Sequence, residues 1–278
     1  MYDLLYVRKR RRRRIAAIGS LICGIVITSF IITSFVGRYA GTFSVSIANT
    51  SVNLSLSERK DGFENGKSTY LRLDNELPFN EYHYKDLPNP SVLDDENVKY
   101  NDIAALGLDE KMKPESIYYF KYTFYVKNTG NTTAYYNLTV SLSENSKSSD
   151  ESGRMLDDTL RVMFFENDGN TDSHEFKYYA KEAAGNNYKE NGDLTRQEFV
   201  GYNCIGGYED AEHPLAETFD NPNTVCEYKV NNFRKDDIKR YTIVFWLEGA
   251  DPQSRDSELP PKDAKLKLGV DIRAYEEK

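Results

Sequence analysis

The sequence predicts an all-β protein: a jelly-roll-like, antiparallel β-sandwich with long loops, preceded by one N-terminal transmembrane helix. Three observations carry this expectation. From position 43 onward, apolar residues recur at every second position in short runs bounded by Asn, Gly, Asp and Ser, which is the period of half-buried strands. Helical periodicity is scarce and no alternation of strands with helices appears, which argues against a doubly wound fold. Ile15 to Val36 is a run of 22 residues without a charge, about 33 Å long as a helix and enough to cross a bilayer.

The ends of the chain differ in charge. The run Arg8 to Arg14 holds seven basic residues against the single Asp3, so residues 1–14 carry +6. Residues 37–278 hold 29 basic and 43 acidic side chains, or −14, within a chain of net charge −8. Positive charge flanking a spanning helix stays cytoplasmic. The division is then a cytoplasmic polybasic segment at 1–14, a membrane helix at 15–36 and an extracellular domain at 37–278. The expected partner of residues 15–36 is the lipid bilayer, and the location is the cell membrane, crossed once with the N-terminus inside. A cleaved signal peptide is the competing reading. The apolar run exceeds the usual span of roughly 7 to 15 residues, and Arg38-Tyr39-Ala40 places Arg where a small residue is wanted. Ser46-Ile47-Ala48 suits a peptidase better but lies well beyond the helix. An acidic exported domain offers no patch for phosphates, so nucleic acid is not an expected partner.

The strands follow in order. Phe43, Val45 and Ile47 mark one buried face, then Val52, Leu54 and Leu56. Phe120, Tyr122, Phe124 and Val126 line one side of the next strand, with Lys121, Thr123, Tyr125 and Lys127 on the other. Asn128-Thr129-Gly130-Asn131 supplies a turn, and Tyr136, Leu138, Val140 and Leu142 face inward beyond it. That pair reads as an antiparallel hairpin with one wet face. Leu160, Val162 and Phe164 repeat the pattern, as do Leu266, Leu268, Val270, Ile272 and Ala274. Tyr241 to Leu247 is apolar on both alternating sets, which suits a central strand covered on both sides. The surplus length falls in residues 77–116 and 181–235, read as long excursions with short helices around Asp102 to Leu108 and Pro214 to Phe219.

Candidate sites are few. Cys204 and Cys226 are the cysteines outside the apolar run, and export permits a disulfide closing a loop of about 22 residues, worth roughly 3 kcal/mol. Two free thiols are the alternative. Asp168, Asn170 and Asp172 alternate like the start of a calcium loop, but Ser173 stands where Gly is needed and Tyr179 where a bidentate Glu should close the shell, so a turn is favoured. The histidines are His83, His174 and His213, with no pair at the spacing of a zinc peptidase and no nucleophile elbow. No cofactor is expected. Tyrosine is the compositional outlier at 21 residues. They concentrate in strands and loops, among them Tyr82, Tyr84, Tyr118, Tyr119, Tyr135, Tyr178 and Tyr179, and some must face the surface, where an aromatic can stack on sugar rings or anchor a protein, although Tyr also replaces Phe on half-wet sheets.

Phe124-Tyr125-Val126-Lys127-Asn128-Thr129-Gly130, Leu160-Arg161-Val162 and Tyr241-Thr242-Ile243-Val244-Phe245-Trp246-Leu247-Glu248-Gly249, followed by Asp251-Pro252, resemble the TasA/camelysin-like exported proteins of Gram-positive bacteria. The likeness extends over most of residues 41–275, including Gly41-Thr42-Phe43-Ser44. It implies a jelly-roll ectodomain at a bacterial surface and, in some members, secretion and assembly into fibres by strand donation. Phe43, Val45 and Ile47 would be the donated segment here. The camelysin name also implies a peptidase, which the histidine spacing does not support. The expected function is a non-enzymatic, membrane-anchored surface β-sandwich contacting envelope or matrix proteins or glycans. A cleaved, secreted fibre subunit and a surface metallopeptidase are the alternatives.

Overall fold

The computed structural model describes residues 40–48, 52–65, 68–74, 81–94, 119–146, 155–167, 175–182, 187–188, 194–195, 200–201, 214–251 and 265–276. The apolar run 15–36 and the candidate helix 102–108 lie outside them. Among the described residues, no helix is long and apolar enough to cross a membrane. In chain order the strands are β1 (Ala40–Ala48), β2 (Leu54–Ser57), β3 (Tyr70–Asp74), β4 (Glu81–Tyr82), β5 (Tyr119–Asn128), β6 (Ala134–Ser146) and β7 (Leu160–Asn167). They continue with β8 (Glu175–Ala180), β9 (Asn187–Tyr188), β10 (Leu194–Thr195), β11 (Glu217–Thr218), β12 (Thr224–Phe233), β13 (Ile238–Glu248) and β14 (Lys265–Glu276). One sheet runs β12-β6-β14-β1-β3 and the other β11-β8-β7-β13-β5-β2, with β4 beside β13 and β9 paired with β10 apart.

The alternating apolar faces close one core between the two sheets. Val45, Leu138, Val140, Val270 and Ile272 come from the first sheet, and Leu54, Leu56, Phe124, Val162 and Ile243 from the second. Burial of such faces is the main favourable term in folding a two-layer β protein. The hydroxyls of Tyr136 on β6 and Tyr241 on β13 meet at 2.6 Å across this core. Burial raises the Tyr136 pKa, because a phenolate there would lose its water.

Four expectations are corrected. First, β5 and β6 are not a hairpin: β5 pairs with β13 and β2, whereas β6 pairs with β14 and β12. Their apolar faces meet across the core instead of lying side by side. Period two reveals which face is buried but not which strand lies alongside. The crossing is held by Asn128, whose amide donates to the carbonyls of Thr132 and Phe233 and whose oxygen accepts from Gly130 N–H. Asn128→Asp keeps the shape but removes two donors, and should cost about 2 kcal/mol in urea denaturation. An unchanged midpoint would show that the corner is held elsewhere.

Second, the sandwich is mixed, since β1 and β14 are parallel, as are β8 with β11 and β4 with β13. Strands far apart in the chain carry no hairpin constraint on direction. Third, Pro214 to Phe219 is not helical: Ala216 packs on the outer cluster and Phe219 on the main core, opposite sides of the sheet. Fourth, the excursion 181–235 contains β12, a full strand. Its register shifts between Thr224 and Cys226 and again between Val230 and Phe233, where Asn232 has φ 55. Those bulges break the alternation that would have revealed it.

The dual-faced reading of β13 matches the structure. Tyr241, Ile243, Phe245 and Leu247 enter the main core, while Val244 and Trp246 join a second cluster on the outer face with Met163, Phe165 and Leu93. That outer face is therefore covered, and β5 is drier than expected: Lys121 and Tyr125 are buried and Thr123 is half-buried.

Candidate functional site

A strap, residues 81–94, lies over the outer face of the second sheet. It begins as β4 beside the end of β13, where Gly249 N–H also donates to Tyr82 O at 3.0 Å. A 3-10 turn, Tyr84–Asp86, follows, and then a short helix, Pro90–Leu93. Asn89 caps that helix by accepting from Ser91 N–H at 3.0 Å, and proline in the first turn gives up no hydrogen bond there. The far end is held by Asp94, which accepts from Arg240 at 2.8 Å and Asn167 at 2.6 Å, all three buried.

Glu248 holds the middle. Its carboxylate is fully buried and accepts from Tyr84 N–H at 2.9 Å, the Trp246 indole N–H at 3.0 Å and Ala250 N–H at 3.0 Å. His83 Nδ1 stands 3.5 Å away, with the imidazole 45% exposed. A carboxylate that follows the apolar run Ile243 to Leu247 is thus matched by N–H groups that would themselves be stranded without it. The Tyr84 ring stacks on Trp246 with centroids 6.5 Å apart and meets Tyr178 edge-on at 5.6 Å. The two tyrosine hydroxyls are 3.3 Å apart. Gly201 is needed at this wall, because a Cβ there would come within 2.8 Å of Tyr84 Cβ.

Strap and strand end enclose a cleft of about 620 Å³, within the range typical of small-ligand sites. Leu87, Pro88, Pro90, Leu93 and Met163 make its apolar surface, and His83, Lys85, Asn89, Tyr84 and Tyr178 its polar one. Glu248 fastens the wall by accepting from three N–H donors, one on the strap and two at its own strand end. The arrangement can hold a ligand with one apolar and one polar end. Among the described residues no group of three or more His, Cys, Asp or Glu could hold a metal.

None of the named tyrosines among the described residues is exposed: Tyr82, Tyr84, Tyr119, Tyr135 and Tyr178 are half-buried and Tyr179 is buried. Tyr84 and Tyr178 come together at the cleft, and Tyr82 packs against Tyr119 at 5.8 Å beside it. Tyr135 stacks on Tyr275 on the opposite face of the molecule, and Tyr179 sits beside Cys226. Tyr118, His174, His213, Asp168, Asn170, Asp172 and Cys204 lie outside the described residues. Val45 is buried and Ile47 packs against the core. Phe43, Val45 and Ile47 all lie on β1, hydrogen-bonded on both edges within its own sheet, to β14 and to β3. The sequence places Glu248 within the Tyr241-to-Gly249 motif and names His83, Tyr82 and Tyr84, but it gives no sign that they meet. The available signals were a Glu directly after the apolar run Ile243 to Leu247 and the Asn89-Pro90 helix start.

Cys226 is a buried thiol on β12. Burial pushes its pKa up to about 12, a hydrogen bond with Tyr179 offsetting part of the shift. Alkylation of the folded protein at about pH 8 should therefore leave Cys226 unmodified. Rapid labelling would show that β12 opens. Denaturation without reductant then reads the pairing directly: protection of both Cys226 and Cys204 marks a bond between them, and modification of both marks free thiols.

Fold and cleft together define a two-sheet β protein with a ligand-sized depression on a covered outer face. Searches against protein-family models, curated proteins and solved structures give no match to this chain.

Proposed function

We propose that the chain is a membrane-anchored cell-surface protein whose jelly-roll-like β-sandwich presents a recognition cleft to the envelope or matrix, a binding role without catalysis. The observation that carries this reading is the cleft itself, walled by a strap fastened at both ends and in the middle. A rigid concavity of mixed polarity suits recognition of a small ligand or a segment of a larger one. Glu248, accepting from three N–H donors, positions the wall. The polybasic run followed by 22 uncharged residues supports tethering with the domain outside.

The test is the mature N-terminus and compartment of the native protein. An intact terminus in the membrane fraction, with residues after 37 cut by protease added to whole cells, is the expected result. A terminus near Gly41 or Asn49 in the medium would overturn tethering and turn attention to assembly through the segment bearing Phe43, Val45 and Ile47.

A further inference from the structure

We infer that the cleft takes a carboxylate carried on an apolar stem. The inference rests on reading the cleft as a binding site and names what enters it. The hydrogen-bonding groups around it divide unequally. The side-chain carboxylate and amide oxygens are engaged: Glu248 accepts from three N–H groups with His83 Nδ1 at 3.5 Å, and Asn89 Oδ1 accepts from both the N–H and the hydroxyl of Ser91. The donors are not. Among the described residues, Lys85 is exposed and has no ion-pair partner, and the Asn89 amide NH2 makes no hydrogen bond.

A surplus of donors, one of them a full positive charge, calls for an acceptor-rich anion, and a carboxylate accepts two or three such bonds. The apolar surface built by Leu87, Pro88, Leu93 and Met163 calls for an apolar stem. An inorganic anion would leave that surface wet, and a neutral hydrocarbon would leave the donors without acceptors. The shared chemistry fits a free short-chain carboxylate or the C-terminal residue of a peptide. The protein remains acidic overall, so the attraction is local and should fall with salt.

Trp246 is the single tryptophan of the chain and stacks on the cleft residue Tyr84, so its emission reports on this site. The full chain in neutral detergent micelles should be titrated with hexanoate, with an acetylated Gly-Gly-Leu peptide bearing a free C-terminus, and with the same peptide amidated. The methyl resonance of labelled Met163 provides a second readout. Saturable changes with hexanoate alone identify a free carboxylate as the ligand, and changes with the free-acid peptide but not the amide identify a C-terminus. Lys85→Gln, an exposed substitution, should weaken either by about fivefold. Equal binding of acid and amide, or no change in either signal with any probe, overturns the inference. A neutral oligosaccharide such as cellotetraose serves as the discriminating arm: if it shifts Met163 and the carboxylates do not, the inference fails while the cleft remains a recognition site.

Discussion

Replacing Glu248 with leucine should release the strap and destabilise the protein by about 4 kcal/mol, because three N–H groups lose their shared acceptor inside the fold. Tyr84 N–H, Ala250 N–H and the Trp246 indole all point at this one carboxylate, which is fully buried. Leucine fills the volume but accepts nothing. Glu248→Gln retains one carbonyl oxygen and should lose about half as much. Both are measurable by chemical denaturation. Emission from Trp246 supplies a local signal, red-shifted in the leucine variant as Tyr84 leaves its ring. A leucine variant with unaltered emission and midpoint would show that β4 and Asp94 alone hold the strap.

Phe124→Asp should prevent folding altogether, whereas Thr123→Asp one position earlier should leave a folded protein. Phe124 is fully buried between the sheets and packs on Tyr241 with centroids 5.5 Å apart. A carboxylate there would lose its hydration and the ring its packing, a cost above about 5 kcal/mol and comparable with the whole stability of a domain. Thr123 points to the other side of the same strand, half-buried, its hydroxyl 3.0 Å from that of Thr242. Its replacement should cost about 1 to 2 kcal/mol, the loss of one hydrogen bond and some repulsion. Circular dichroism and thermal melting separate the two, and equal effects would mean the inward face of β5 is not the one bearing Phe124.

Some of this architecture can be read from the chain because side-chain direction in a strand is local. Leu54 and Leu56, Leu160 and Val162, and the run from Leu266 to Ala274 point inward for the reason their alternation suggests. β13 reads as central because both of its faces are apolar, and it pairs with β7 on one side and β5 on the other. β12 was illegible for the converse reason, since two bulges interrupt its period. The cleft was half visible. Tyr84 and Tyr178 stand out as aromatics in polar surroundings, but nothing in their spacing shows that residues 94 positions apart share a hydroxyl contact.

The all-β class, the inward faces and the uncharged run ahead of the sandwich belong to the sequence alone, because alternation and charge are properties of neighbouring residues. Which strands pair, that β5 and β6 sit in opposite sheets, and that β1 runs parallel to β14 arose only in the folded molecule. Every strand offers the same backbone donors and acceptors, so pairing is chosen by how two apolar faces can close over one core. The cleft belongs to that level too. Glu248 is a carboxylate after an apolar run until the strap brings it His83 and, from 164 residues away, Tyr84 N–H.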